Sequence, residues 1–205
     1  MHLIRKYFPE LTPIQLVRFE KLGRLYSEWN RKINVISRKD IAFFYEKHIL
    51  HSLAVAKTFH FQAHSTILDV GTGGGLPGIP LAIYFPGCSF TLIDSIGKKI
   101  MVVRAISEEI GLENIQSHQI RVENYHEKFH YIVARAVTDF RKFMKLVSKN
   151  INNNDINEPS NGIIYLKGGE IDEEIKPFNN VQIINITDFF KEEYFLTKKI
   201  IYVPI

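Results

Sequence analysis

The chain reads as an α/β protein: a mostly parallel, doubly wound sheet of seven strands behind an N-terminal helical region. Three observations predict this. Residues 1–60 carry helical periodicity and no strand pattern of their own. From Thr66 onward, short β-rich runs alternate with helical segments, the order that builds a parallel sheet covered by helices. The first of those runs, Ile67-Leu68-Asp69-Val70, opens into Gly71-Thr72-Gly73-Gly74-Gly75-Leu76-Pro77-Gly78, a glycine-packed turn ahead of a helix. The expected organisation is a basic helical region over 1–60 and a sheet domain over 61–205.

The elements follow in order. Thr12-Pro13-Ile14-Gln15 has the form of a capping box with proline at the first helical position. Leu16, Phe19, Leu22, Tyr26 and Trp29 then recur at helical steps. Asp40 is expected to cap a second helix, whose apolar positions are Ile41, Phe44, Ile49, Leu53 and Ala56. Pro77 is expected in the first turn of the helix after the glycines, where a missing N–H costs nothing. Pro86-Gly87 marks the turn into a second strand, Ser89–Asp94. Lys98–Ile110 is helical, with Gly111 as its stop. Ile115–Ile120 and Tyr131–Ala134 read as strands, and Phe140–Ser148 as a helix. Ile151–Asn161, rich in Asn and holding Pro159, reads as a mobile surface loop. Ile163–Leu166, Val181–Ile186 and Lys199–Val203 complete the sheet.

The glycine turn restricts the ligand. A dinucleotide fingerprint, G-x-G-x-x-G, started at Gly71 meets Leu76 where its third glycine belongs. Started at Gly73 it reaches Gly78, too late relative to the strand. A phosphate-binding Walker loop fails because Ile79 and Pro80 follow Gly78. D-x-G-x-G-x-G, Asp69 to Gly75, fits without adjustment and resembles the S-adenosylmethionine loop of Rossmann-like methyltransferases. There the acid faces the amino acid part of the cofactor, the glycines make room for it, and backbone N–H groups are free at the strand end. About twenty residues on, Asp94 closes the second strand, where a carboxylate accepts hydrogen bonds from both ribose hydroxyls. NAD enzymes use the same device. The plain alternatives are a glycine turn without a ligand and an Asp94 that caps the next helix.

Composition sets further bounds. The 205 residues fit one domain with a small appendage. One cysteine, Cys88, permits no intrachain disulfide and suits a reducing compartment. No apolar run reaches membrane-spanning length, and Arg5, Lys6 and Glu10 interrupt any signal-peptide core. A cytoplasmic, monomeric protein without membrane contact is expected. The net charge of +4 is uneven: residues 1–60 hold 11 Lys or Arg against 5 Asp or Glu. The remainder is net acidic, so the basic excess precedes the sheet domain. Segregated positive charge suits a polyanion, and a solvated helical surface explains it equally well.

Residues that follow parallel strands converge on one rim of the sheet. That rim is expected to carry Gly71–Gly75, Asp94, Val122, Glu123, Arg135 and Lys167. Amino-methylating nucleic-acid enzymes carry an Asn- or Asp-Pro-Pro-aromatic motif after the fourth strand. This chain has Ala134-Arg135-Ala136-Val137 there. Pyrimidine C5 methylation needs a cysteine nucleophile, and Cys88 sits in a Pro-Gly turn before the second strand. Guanine N7 remains permissible. It carries a free lone pair, and no proton leaves it.

The run from Asp69 to Ala82 resembles the signature of the RsmG/GidB family, bacterial guanine-N7 methyltransferases of small-subunit (16S) ribosomal RNA. Matches elsewhere follow in order: Trp29–Asn34, His48–Ser52, Leu92–Lys99, Arg121–Glu123, Ala134–Ala136 and Leu166–Gly169. The resemblance spans about residues 12–170. It implies S-adenosylmethionine as cofactor and 16S rRNA or the small ribosomal subunit as partner. It places Gly71, Leu76, Val122, Glu123 and Arg135 on the cofactor, beside Asp69, Gly73, Gly75 and Asp94 from the loop reading. Candidates for the reaction itself are Asn34, His48, Arg135 and Lys167. The chain departs from the family at His51, where an acid is usual, and at Asn34-Val35-Ile36-Ser37 in place of Asn-Leu-Thr-Ser.

His48 and His51 stand i and i+3 on a helix, half of a metal site, but no further ligand pair is spaced to join them. No metal is expected, and His48 is expected to hydrogen-bond near the substrate entrance. Two other readings compete: an NAD-dependent oxidoreductase using the shifted glycine match, and a non-catalytic ribosome-assembly factor on a methyltransferase fold.

Overall fold

The computed structural model describes residues 1–135, 137–152 and 160–205. Seven strands form one sheet: β1 (Thr66–Val70), β2 (Ser89–Asp94), β3 (Ile115–Gln119), β4 (Tyr131–Arg135), β5 (Gly162–Gly168), β6 (Gln182–Asn185) and β7 (Lys198–Pro204). Their spatial order is β3-β2-β1-β4-β5-β7-β6. The first five run parallel, and β7 runs antiparallel to both β5 and β6. The chain winds outward from β1 to β3, then returns to the other side of β1 with β4. That reversal puts the switch point, where open α/β sheets bind ligands, beside the end of β1.

Alternation along each central strand sorts the core into two layers. Ile67, Phe90, Leu92, Tyr131, Val133, Ile164 and Leu166 face one side. Leu68, Val70, Ile93, Ile132, Ala134, Ile163 and Tyr165 face the other. The first side is covered by α1 (His2–Tyr7), α2 (Pro13–Lys32), α3 (His51–Thr58), α4 (Gly78–Tyr84) and α5 (Gly97–Glu109). The N-terminal helices thus share a continuous apolar core with the sheet. The second side is covered by α6 (Phe140–Val147), with the short α7 (Asp172–Ile175) beside it.

The capping box at α2 forms as the sequence predicts: the Thr12 hydroxyl accepts from the Gln15 N–H, and Gln15 Oε1 accepts from the Thr12 N–H at 2.9 Å. Gln15 also donates to the carbonyls of Ile83 and Tyr84, both at 3.0 Å, tying the start of α2 to the end of α4. Arg18 Nε donates to the Ile110 carbonyl at 3.1 Å, placing a cation at the carboxyl end of α5, where the helix dipole favours it. Gly111 follows with φ +66°, the left-handed stop read from sequence.

Three local expectations change. Pro77 is the residue before α4, one position ahead of the predicted first turn, and Pro80 occupies the first turn instead. Asp40 stands at the predicted N-cap position, of the 3₁₀ turn Ile41–Phe43, but its side chain makes no capping bond; its carboxylate accepts from Lys47 Nζ at 2.8 Å. The apolar run from Ile41 to Ala56 is not one helix. It passes from a 3₁₀ turn (Ile41–Phe43) through a π-helical stretch (Tyr45–Leu50) into α3. Of the loop expected over 151–161, residues 153–159 lie outside the described residues.

Candidate active site

The end of β1 is built around two acids. The N–H groups of Gly71 and Thr72 both donate to the Ile93 carbonyl at 2.9 and 3.0 Å, folding the loop toward β2. The Gly73 N–H donates to Asp94 Oδ2 at 3.0 Å, and the Ile96 N–H donates to Asp94 Oδ1 at 2.9 Å. Lys99 Nζ lies 3.7 Å from the same carboxylate. Asp94 therefore fixes the loop and the start of α5 at once, and α5 itself begins after Ile96 rather than on an Asp94 cap.

Asp69 lies beneath the loop and is fully buried. Its Oδ2 accepts from the Thr72 hydroxyl at 2.6 Å and from the Gly78 N–H at 2.8 Å. Its Oδ1 is buried with no hydrogen-bond partner among the described residues. Burial raises its pKa to about 7, against the pull of the Thr72 and Gly78 bonds. The expected free N–H groups at the strand end are thus largely taken up inside the protein: Gly75 and Leu76 donate to the Thr72 carbonyl, and Gly78 to Asp69. Gly75 is required twice over. Its φ is +99°, and a Cβ there would fall 2.4 Å from Ile79 Cδ1.

A cavity of about 450 Å³ opens over this loop. Its walls include Gly71, Asp94, Ile96, Val122, Glu123 and Arg135. Five of the residues expected on the cofactor (Gly71, Asp94, Val122, Glu123 and Arg135) are therefore brought together at one cavity. Asp69, Gly73, Gly75 and Leu76 do not line it. They form the floor and frame of the loop, with Leu76 buried.

Arg135 closes the cavity from the end of β4 and is half-buried. Its Nη2 lies 3.1 Å from His48 Nδ1. Burial, then the charge of Arg135, lowers the His48 pKa to about 3. The imidazole is neutral at neutral pH, so its Nδ1 accepts from the guanidinium. His51, on the same side of the chain, is buried, and burial holds it well below the usual histidine range. The Tyr194 hydroxyl stands 3.3 Å from His51 Nδ1 and donates to the Lys47 carbonyl at 3.4 Å. The Nε2 atoms of both histidines are buried without partners among the described residues.

The other two reaction candidates stand apart from the cavity. Lys167 pairs with Glu174, which in turn accepts from the Phe140 N–H at 2.7 Å. Lys167 therefore holds the segment that follows β4. Asn34 is exposed on the loop after α2. Cys88 is buried, and burial raises its thiol to about 11, which leaves it inert as a nucleophile. Tyr26, Asn30 and Tyr194 also brace the site, through contacts to Gly74, Val35 and His51 that no sequence motif marks. Asn30 was visible within the Trp29–Asn34 match, but its bonding to the loop was not. No helix among the described residues is long and apolar enough to cross a membrane.

Known proteins share the fold and identify the family. Among solved structures, the fold resembles MtNAS in complex with S-adenosylmethionine, with a TM-score of 0.59, 12% identity, and coverage of 93% of this chain and 76% of that one. It also resembles the ribosomal protein L11 methylase of Lactobacillus delbrueckii subsp. bulgaricus, with a TM-score of 0.56 and 16% identity over 76% of each chain. Curated relatives carry the name ribosomal RNA small subunit methyltransferase G. The one from Flavobacterium psychrophilum is 51% identical over all of this chain and 98% of its own. The one from Christiangramia forsetii is 50% identical over all of this chain and 97% of its own. A family model described as GidB, rRNA small subunit methyltransferase G, matches residues 15–193. The chain belongs to the rRNA small subunit methyltransferase G family.

Proposed function

We propose that this chain transfers a methyl group from S-adenosylmethionine to N7 of a guanine in small-subunit ribosomal RNA. The observation that carries the reading is the cavity shared by the glycine loop, Asp94 and Arg135, in a chain of this family. The cavity suits the cofactor. Each Asp94 oxygen accepts one backbone N–H, and a carboxylate has about four acceptor positions, so capacity remains for two ribose hydroxyls. Ile96, Ile120 and Val122 give apolar walls for an adenine, with Glu123 at the edge. Its volume falls in the range of small-molecule sites.

When bound, S-adenosylmethionine supplies a methyl group on a sulfonium. The chain's own residues position the acceptor. Arg135, which lines the cavity with Lys99 and Arg121, has its guanidinium fixed by the neutral His48. Neither Arg135 nor His48 acts as a base, which suits N7, whose lone pair attacks without losing a proton. Lys167 acts through Glu174 and α6, and Asn34 works from the exposed loop. Residues 1–60 form the RNA-facing region and residues 61–205 the methyl-transfer domain. In A-form RNA the major groove is too deep and narrow for side chains to reach N7. The target therefore lies in a loop or irregular junction, and an assembled particle that fixes it is the better substrate. The oxidoreductase alternative has no support in the family. The assembly-factor alternative predicts no cofactor binding.

Borohydride and aniline cleavage, which breaks RNA at 7-methylguanine, tests the chemistry. Small-subunit RNA treated with protein and S-adenosylmethionine is expected to gain one scission. Methyl incorporation without a scission would remove N7 and leave the broader activity.

A further inference from the structure

A second cavity, of about 360 Å³, lies between the last turns of α2 and the segment that follows. It is lined by Ser27, Asn30, Arg31, Arg38 and Ile41. One side chain shapes it. Asn30 Oδ1 accepts from the N–H groups of Val35 and Ile36, and Asn30 Nδ2 donates to the Ile36 carbonyl, all at 2.9 Å. The loop from Ile33 to Asp40 is thereby fastened to α2, with Ile36 buried beneath it.

The charge here is not neutralised within the fold. Arg31, Lys32, Arg38 and Lys39 are exposed, and none has an ion-pair partner among the described residues. The neighbouring acids are engaged elsewhere: Glu28 with Arg24 at 3.0 Å, and Asp40 with Lys47 at 2.8 Å. The four cations differ in placement. Arg31, on α2, and Arg38, on the segment that follows, both line the cleft, whereas Lys32 lies over the Trp29 ring, 5.1 Å from its centroid. A guanidinium presents a planar fork that matches two phosphate oxygens. Ser27 and Asn30 add polar groups, and Ile41 adds an apolar wall that suits a ribose or base face.

The cleft is also tied to the cofactor loop. Val35 packs against Gly74 so closely that a Cβ at Gly74 would lie 2.9 Å from Val35 Cβ. The Tyr26 hydroxyl, from α2, donates to the Gly74 carbonyl at 2.7 Å. A ligand held by Arg31 and Arg38 is therefore fixed relative to the glycine loop.

We infer that this cleft is a nucleotide subsite that takes one phosphodiester of the acceptor RNA, in a single-stranded stretch flanking the target, between Arg31 and Arg38. The inference rests on the reading that the acceptor is RNA. Two double variants that remove equal charge test it: Arg31→Ala with Arg38→Ala, and Lys32→Ala with Lys39→Ala. The arginine pair is expected to raise KM for small-subunit RNA about tenfold and to flatten the salt dependence of RNA binding by about one to two units of slope. The dissociation constant for S-adenosylmethionine should not change. The lysine pair is expected to change both RNA quantities much less. Equal effects of the two pairs would reduce the cleft to diffuse surface charge, and no effect of the arginine pair would also overturn the subsite. Arg38→Ala alone, at a residue with no side-chain bond among the described residues, should move the slope the same way by about half. RNA binding is read by filter retention, independent of methyl transfer. If the parent protein fails to methylate RNA, the proposed function falls, while the salt series still decides the cleft.

Discussion

Two loops meet at Gly74, and they are built by opposite means. The loop after β1 is made of backbone: glycines, N–H groups, and two acids that hold them from below and from the side. The end of α2 and the loop after it are held by side chains: one asparagine brace, and four exposed cations, two on each, with no ion-pair partner among the described residues. A backbone loop can lie close against a small ligand but tolerates almost no added atoms. A side-chain loop tolerates substitution and reads charge at longer range. The difference suits a small cofactor held against the first loop, on its cavity side, and a polyanion met by the second.

The comparison breaks most readily at the backbone loop. Gly75→Ala combines a positive φ with a Cβ on Ile79, and is expected to cost about 2–4 kcal/mol of stability and to abolish cofactor binding. Urea denaturation and calorimetric titration measure the two effects. Stability within about 0.5 kcal/mol of the parent would show that the loop has more room than its geometry indicates.

Asp94→Ala is expected next. It removes hydrogen bonds to a charged acceptor and should weaken S-adenosylmethionine binding by about 1.5–3 kcal/mol. Equal dissociation constants in mutant and parent would sink the ribose assignment. Asn30→Ala acts on the other loop. It removes three bonds and should cost about 1–2 kcal/mol of stability. RNA affinity should fall while cofactor affinity holds. The reverse pattern would show that the two loops are not separable.

The smallest effect is a slope. Asp69 has a folded pKa raised to about 7, above its ordinary value of 3.8, so the folded state holds its proton longer than the unfolded state does. Its contribution to stability is full below the ordinary value and is lost as pH rises through about 7. Asp69→Asn should flatten the decline in stability between about pH 4 and 7, read from urea midpoints. Parallel pH curves for mutant and parent would place the charge elsewhere.

What the sequence displayed and what it hid divide along the same line. The glycine loop was legible because every part of it is local: strand, acid, glycines and helix lie within a dozen residues, and Asp94 lies at the spacing a parallel β-α-β unit imposes. The capping box at Thr12 was legible for the same reason. The antiparallel course of β7 was not, because a β-rich run carries no sign of direction. Nor was the π-helical stretch at Tyr45–Leu50, whose changed pitch interrupts the helical spacing ahead of His48. The Arg135–His48 and Tyr194–His51 contacts join residues 87 and 143 positions apart, and no periodicity records such pairs. Asp69 shows the limit within a motif. Its position was evident, but its burial under Thr72 and Gly78, rather than exposure at the cavity wall, depends on how the loop closes.

The proposed reaction places one methyl group on N7 of one guanine in small-subunit ribosomal RNA. Mass mapping of that RNA tests it most directly, in cells that lack the protein and in the same cells given back either the parent chain or Asp94→Ala. 7-Methylguanosine is expected to disappear from a single site, to return with the parent chain, and not to return fully with the variant. An unchanged map in the cells that lack the protein, or loss of a different modified base, would contradict it.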